Sequence, residues 1–185
     1  MMNKKQAITF LKEKVETDNL RKHSLAVGAA MRSLAEHFDK DPDSWEVCGL
    51  LHDIDYEETK DEPSKHSELG REILLEKGLS EKICDAVYTH NSAHEADPKS
   101  LMGKSLYCVD SLTGLIVAAT LVLPSNKIED LEVENVINRF EEERFAAGAD
   151  REAIAKSEDY LGLELEEFIE ITLDAMKGIS DELGL

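Results

Sequence analysis

Apolar residues recur at intervals of three and four along most of this chain, and no stretch supplies two strands that could pair. Ala7, Ile8, Leu11 and Val15 mark one amphipathic helix over residues 4–16, and Leu20, His23, Val27, Ala30, Met31 and Leu34 share one face of the next. Asp41-Pro42 supplies an N-cap acid followed by proline at the first helical position, which starts a helix through SWEVCGLLHD. Residues 55–65 are charged and contain Glu62-Pro63, so a loop is expected; His66 opens the helix HSELGREILLEKG, stopped by Gly78. Ser80 caps EKICDAVYTH, residues 91–99 return to loop, and a helix runs from Ser100 to near Pro124. The run LIVAATLVL at 115–123 suits a strand or a buried helix, and with no partner strand available it reads as helix. Beyond residue 128 the pattern is again amphipathic, with a stripe of Leu165, Phe168, Ile169 and Met176. The expectation is one all-α domain over residues 1–185, without repeat, linker or low-complexity tract.

A chain of 185 residues that is 42% hydrophobic can bury one good core. Its formal charge of −19 is uneven, because residues 128–185 hold 18 acids against 5 bases. Such a surface repels nucleic-acid backbones and anionic lipid, so neither polymeric nucleic acid nor a membrane is an expected partner. An anionic substrate would need local cations, from basic side chains or from metal. Cys48, Cys84 and Cys108 are odd in number and form no CxxC, which suits reduced thiols in a cytoplasmic protein, two of them in the core. The N-terminus lacks the apolar stretch of a signal peptide, and the nine-residue run at 115–123 is too short to span a membrane.

Several motifs can be set aside. The GKS at Gly103–Ser105 lacks the glycine that a phosphate loop needs at position 98, which is Pro98. His90 and His94 stand four apart, but a zinc-protease helix needs glutamate at position 91, which is Asn91. DKDPDSWEVCGL and DIDYEE begin like calcium loops and lack the turn glycine.

The histidines remain. A His-Asp doublet such as His52-Asp53 arises by chance about 0.5 times in a shuffled chain of this composition, so it says little alone. His23 lies on an apolar face, where a lone histidine is more often a satisfied core residue than a ligand. Asp110 is harder to explain, because it interrupts the apolar stretch LYCVDSLTGL and a buried carboxylate is costly unless paired or coordinated.

Taken together, His23, His52-Asp53, His66, His90 and Asp110 resemble the ligand order of the HD superfamily of metal-dependent phosphohydrolases, closely so over residues 20–115. The resemblance implies an HD-type helical bundle, with a metal-site core at about 20–115 and acidic C-terminal helices at about 128–185. It also implies one metal on His23, His52, Asp53 and Asp110, and a second on His66 and His90, the two extra histidines of the binuclear branch, with Asp53 bridging. Imidazole and carboxylate donors suit divalent Mn, Fe, Co, Ni or Zn. Two such ions about 3.5–4 Å apart can share a water, lower its pKa to near 7 and stabilise oxygens on phosphorus. Asp53 and His52 are then central to catalysis, through a metal-bound hydroxide acting on a small phosphorylated metabolite, a nucleotide foremost. The alternatives are a mononuclear phosphatase and a metal- or nucleotide-binding sensor without turnover.

The Gly-Tyr-Pro signature of cyclic-dinucleotide phosphodiesterases in this superfamily is absent. Lys65, Arg71, Lys104 and Lys127 are candidate phosphate contacts, each equally readable as a solvated cation. Asp55 is a candidate to orient a ligand histidine, His94 a weaker candidate ligand or acid in the loop, and His37 a surface residue.

Overall fold

A computed structural model describes residues 2–185, and every regular element among them is helical. In chain order the α-helices are α1 (Lys4–Lys14), α2 (Asp18–His37), α3 (Pro42–Leu51), α4 (Tyr56–Thr59), α5 (Glu68–Glu76) and α6 (Glu81–His90). Then come α7 (Leu101–Leu121), α8 (Val133–Glu141), α9 (Arg151–Ala155), α10 (Ser157–Leu161), α11 (Leu165–Lys177) and α12 (Ser180–Leu183). Asp41 caps α3 by accepting from the Asp43 amide, and Ser100 caps α7 by accepting from that of Gly103.

The frame of the molecule is the packing of α2 on α3, with α7 laid against α2 and α6. Two glycines set the first contact. A Cβ on Gly49 would stand 2.7 Å from the Val27 carbonyl oxygen and 2.8 Å from the Gly28 Cα, so the two backbones meet directly there. Val27, Met31, Leu34, Leu50 and Leu51 are fully buried around that crossing. Helix α11 inserts Phe168, Ile169, Leu173 and Met176 into the same apolar cluster from the other side of α2 and α7.

The structure departs from the sequence expectations at five places. Residues 55–65 are not all loop, since Tyr56–Thr59 form the single turn α4. His66 does not open α5; it precedes Ser67, whose left-handed φ of 65° breaks the chain direction before the helix begins at Glu68. Ser80 stands at the N-cap of α6, but its hydroxyl makes no capping bond. All three cysteines are buried rather than two, and burial raises their thiols, that of Cys108 to about 12, which removes them as nucleophiles. The run at 115–123 is helical, but α7 ends at Leu121, and Leu121 and Val122 are 57% and 54% exposed. The whole of α7, at 21 residues, is long and apolar enough to cross a membrane by length and composition; 56% of its apolar window is buried inside this fold, as in a core helix.

Candidate metal centre

Four elements and one turn bring the six predicted ligands to one place. His23 projects from α2, His52 follows the last turn of α3, His90 ends α6 and Asp110 sits midway along α7. Asp53 lies next to His52, and His66 comes in on the turn before α5.

Each imidazole is held by Nδ1. His52 Nδ1 donates to the Gly49 carbonyl at 2.8 Å and His90 Nδ1 to the Val87 carbonyl, each three residues back in its own helix. His66 Nδ1 donates to Asp55 Oδ1 at 3.1 Å, and His23 Nδ1 faces Thr113 Oγ1 at 3.4 Å. The Thr113 hydroxyl is itself committed as a donor to the Asp110 carbonyl, so it meets His23 as an acceptor. With Nδ1 engaged on the outer side, Nε2 is the atom that every ring turns inward.

The inward atoms form two halves around one carboxylate. Asp53 Oδ2 lies 3.8 Å from His23 Nε2 and 3.4 Å from His52 Nε2, whereas Oδ1 lies 3.3 Å from His66 Nε2 and 3.4 Å from His90 Nε2. Asp110 joins the first half, with Oδ1 at 2.8 Å from His23 Nε2 and 3.4 Å from His52 Nε2. His52 Nε2 is fully buried and makes no hydrogen bond, with only the Asp53 and Asp110 carboxylates near it, which is the setting of a metal ligand. The donor atoms of His23, His52 and Asp110, and those of His52, Asp53 and His90, are close enough together to share an ion. The residues therefore fit divalent metal. Neither His23 nor Asp110 is sealed in the core as the apolar flanks suggest; their side chains are 25% and 28% exposed, because they open onto a cavity.

Charge is arranged to suit. Burial opposes ionisation of Asp53 and Asp110, but the surrounding imidazoles outweigh it and hold both carboxyls far below the usual carboxylate range. Burial likewise opposes charge on His52 and His66. The facing carboxylates outweigh it, raising His52 well above its ordinary value and His66 to about 9.

Asp55 is completely buried and anchors the turn that delivers His66. Besides the imidazole, its carboxylate accepts the Ser67 amide at 2.8 Å and the Gly70 amide at 3.0 Å. A Cβ on Gly70 would stand 3.0 Å from Asp55 Oδ1, so glycine is what lets α5 come this close. His94 does not reach the cluster. It stacks on Tyr88 and points Nε2 at the His66 carbonyl and the Ser67 hydroxyl, at 2.8 and 3.0 Å, bracing the same turn. Asn91, which the sequence marks only as loop, donates to the Pro63 and His66 carbonyls from the same side. His37 is exposed.

The four candidate phosphate contacts are not brought to the cavity. Lys65 pairs with Glu62, Arg71 with Asp85, and Lys104 lies over the Tyr160 ring; Lys127 is exposed beyond α7. The cavity, of about 530 Å3, is lined beyond the ligands by Leu20, Tyr56, Ser111, Gly114 and residues 146–149. Sequence reasoning missed all of these. Tyr56, three residues after the doublet, was within reach of it. The small-residue run AAGA at 146–149 was the only signal from the distant loop.

The HD domain family matches residues 20–154 of this chain. Among curated proteins it is similar to Ribonuclease Y of Nitratidesulfovibrio vulgaris (strain DP4), 28% identical over 126 residues, or 68% of this chain and 24% of that protein. Ribonuclease Y of Lawsonia intracellularis is 27% identical over 126 residues, with the same coverage of both chains. The chain thus spans about a quarter of the length of these relatives. No solved structure matches it.

Proposed function

The chain belongs to the HD domain family, and on that premise we propose a phosphohydrolase that uses two divalent ions and acts on a small phosphorylated metabolite, a nucleotide foremost. Metal-dependent hydrolysis is the general chemistry of this family, and the chain carries clustered His and Asp donors for it. One observation supports two ions in particular: the Asp53 carboxylate turns Oδ2 to His23 and His52, and Oδ1 to His66 and His90. In this reading His23, His52, Asp110 and Asp53 would hold one ion, of the Mn, Fe, Co, Ni or Zn group, and His66 and His90, with Asp53 shared, would hold the other. Bound there, divalent ions supply an activated water and positive charge at phosphorus.

The protein's own part is orientation. Gly49, Val87, Asp55 and Thr113 fix the imidazole rings, and the depressed carboxyls of Asp53 and Asp110 stay ionised at neutral pH. The three buried, unpaired thiols suit a reducing compartment, and we assign the protein to the cytoplasm on that ground.

The name of the relatives favours a second reading, cleavage of RNA phosphodiesters. A net charge of −19 and a cavity without a lining lysine or arginine weigh against a polyanionic strand.

The test uses Mn-loaded protein and a panel of nucleotides and sugar phosphates, with phosphate release and nucleotide retention measured in the same sample. Turnover is expected for at least one compound, and Asp53→Ala should reduce it by about 10³-fold or more, since both halves of the centre share that carboxylate. Tight retention of an intact nucleotide at neutral pH, with both ions bound, would overturn the hydrolase in favour of a sensor.

A further inference from the structure

Gly114 lies within α7, one turn beyond Asp110, and glycine in a helix interior costs stability relative to alanine. Packing does not require it, because a Cβ there would meet no atom within 4 Å. Gly114 instead lines the cavity beside the metal centre. The same cavity is lined by Ala146–Ala149, where Gly148 likewise has open space over its Cα.

This second wall is irregular in backbone but firmly held. The Arg151 guanidinium donates to the carbonyls of Phe140, Glu142 and Phe145 at 2.7, 2.8 and 2.6 Å, and more distantly to those of Arg139 and Ala149. Arg151 thereby spends Nε and Nη2 on the loop, and it does not line the cavity. Arg144, exposed on the same loop, does not line the cavity. Apart from the metal-site histidines and aspartates, every lining residue is uncharged, and about 530 Å3 falls in the range of small-molecule pockets.

We propose that the slot between Gly114 and Ala146–Ala149 receives the uncharged organic part of a phosphomonoester, whose single phosphate is seated at the metal centre. The inference rests on the phosphohydrolase reading and narrows its substrate class. A second or third phosphate would enter a wall with no cation to meet it, in a protein already strongly negative. Gly114 is the specificity-determining position, since any side chain there projects into the slot.

The experiment compares the four ribonucleoside 5′-monophosphates with their triphosphates on Mn-loaded wild-type, Gly114→Leu and Gly114→Lys proteins, together with thermal melting. The wild type should favour a monophosphate over its triphosphate at least 10-fold in kcat/KM. Gly114→Leu should raise KM for that monophosphate at least 10-fold with kcat changed less than 3-fold, while Tm holds or rises. Gly114→Lys should shift the ratio toward the triphosphate at least 10-fold. A wild-type preference for triphosphates, or an unchanged KM in Gly114→Leu, would overturn the slot. Absence of turnover with every compound would instead defeat the hydrolase reading. Calorimetric binding of the same nucleotides then decides the slot separately: a 10-fold weaker monophosphate in Gly114→Leu supports it, and equal affinity rejects it.

Discussion

Asp53 is one carboxylate serving two sets of histidines, so the two halves of the centre should be separable from one side only. Removing His66 and His90 together takes every imidazole from Oδ1 and leaves His23, His52, Asp110 and Oδ2 in place. The His66→Ala/His90→Ala protein should therefore fall from two ions per chain towards one, read by elemental analysis after Mn or Co reconstitution. Two ions in that variant would rule out the proposed division. Asp55→Asn tests the support behind His66. The amide keeps one oxygen but turns a donor towards other donors, because the carboxylate now accepts from His66, Ser67 and Gly70 together. Affinity at the second site should drop about 10–100-fold with the first site unchanged; equal weakening at both sites would mean a general loss of structure. At this scale the six residues that cluster were legible through the likeness of their order to that of the HD superfamily. Asp55 was legible as well, from its place after the doublet. What could not be read was orientation. Nothing in the sequence says that Lys65, Arg71 and Lys104 each turn to another partner.

Between elements, the decisive contact is the meeting of α2 and α3 at Gly28 and Gly49. It sets the distance between His23 and His52, whose rings lie 5.1 Å apart edge to face. A methyl on Gly49 runs into backbone at 2.7–2.9 Å, which only a helix shift can relieve, while one on Gly28 meets the Leu50 side chain, at 2.9 Å from Cγ and 3.1 Å from Cδ2, with backbone no closer than 3.4 Å. Gly49→Ala should therefore cost about 1–3 kcal/mol. For a chain of this size that is a fall of roughly 2–12 °C in Tm. Gly28→Ala should cost clearly less, since a leucine side chain can rotate. Metal affinity should follow the same order, measured by titration on both variants. If Gly28→Ala proves the more damaging, the crossing is not what fixes the ligand spacing. Helix positions here followed from apolar periodicity and from Asp41, Gly78 and Ser100. Two local features did not follow: the turn at Tyr56–Thr59, too short for a periodic signal, and the break at Ser67, where an ordinary serine takes a left-handed conformation because Asp55 captures its amide. The loop at 142–149 escaped for a different reason. Its shape comes from Arg151 gathering five carbonyls, a tertiary arrangement with no local pattern.

For the molecule as a whole, metal and protons compete for one set of groups, which makes stability depend on pH in opposite ways with and without ions. In the metal-free protein the raised values of His52 and His66 mean that their charged forms stabilise the fold. That contribution is complete below the ordinary histidine value of about 6.5. It is lost as pH rises, in the case of His66 through about 9. The depressed carboxyls of Asp53 and Asp110 add stability above the ordinary carboxylate range, lost only in strong acid, so they do not alter this window. A divalent ion needs the neutral imidazoles, so its binding releases protons and tightens over the same interval. The chelated protein should therefore lose stability from pH 6.5 to 8.5, the Mn-loaded protein should not, and the gap between their melting temperatures should widen. At free metal 100 times its dissociation constant, linkage gives about 2.7 kcal/mol. That is a gap of roughly 5–10 °C for a chain of this length. Asp110→Asn removes a charged donor from the first half while leaving the helix intact, and should close most of the gap. Melting curves of both proteins, with Mn and with chelator at three pH values, check this. A gap that is the same in wild type and Asp110→Asn, or that narrows as pH rises, would mean that the ion stabilising the fold is not held by this cluster.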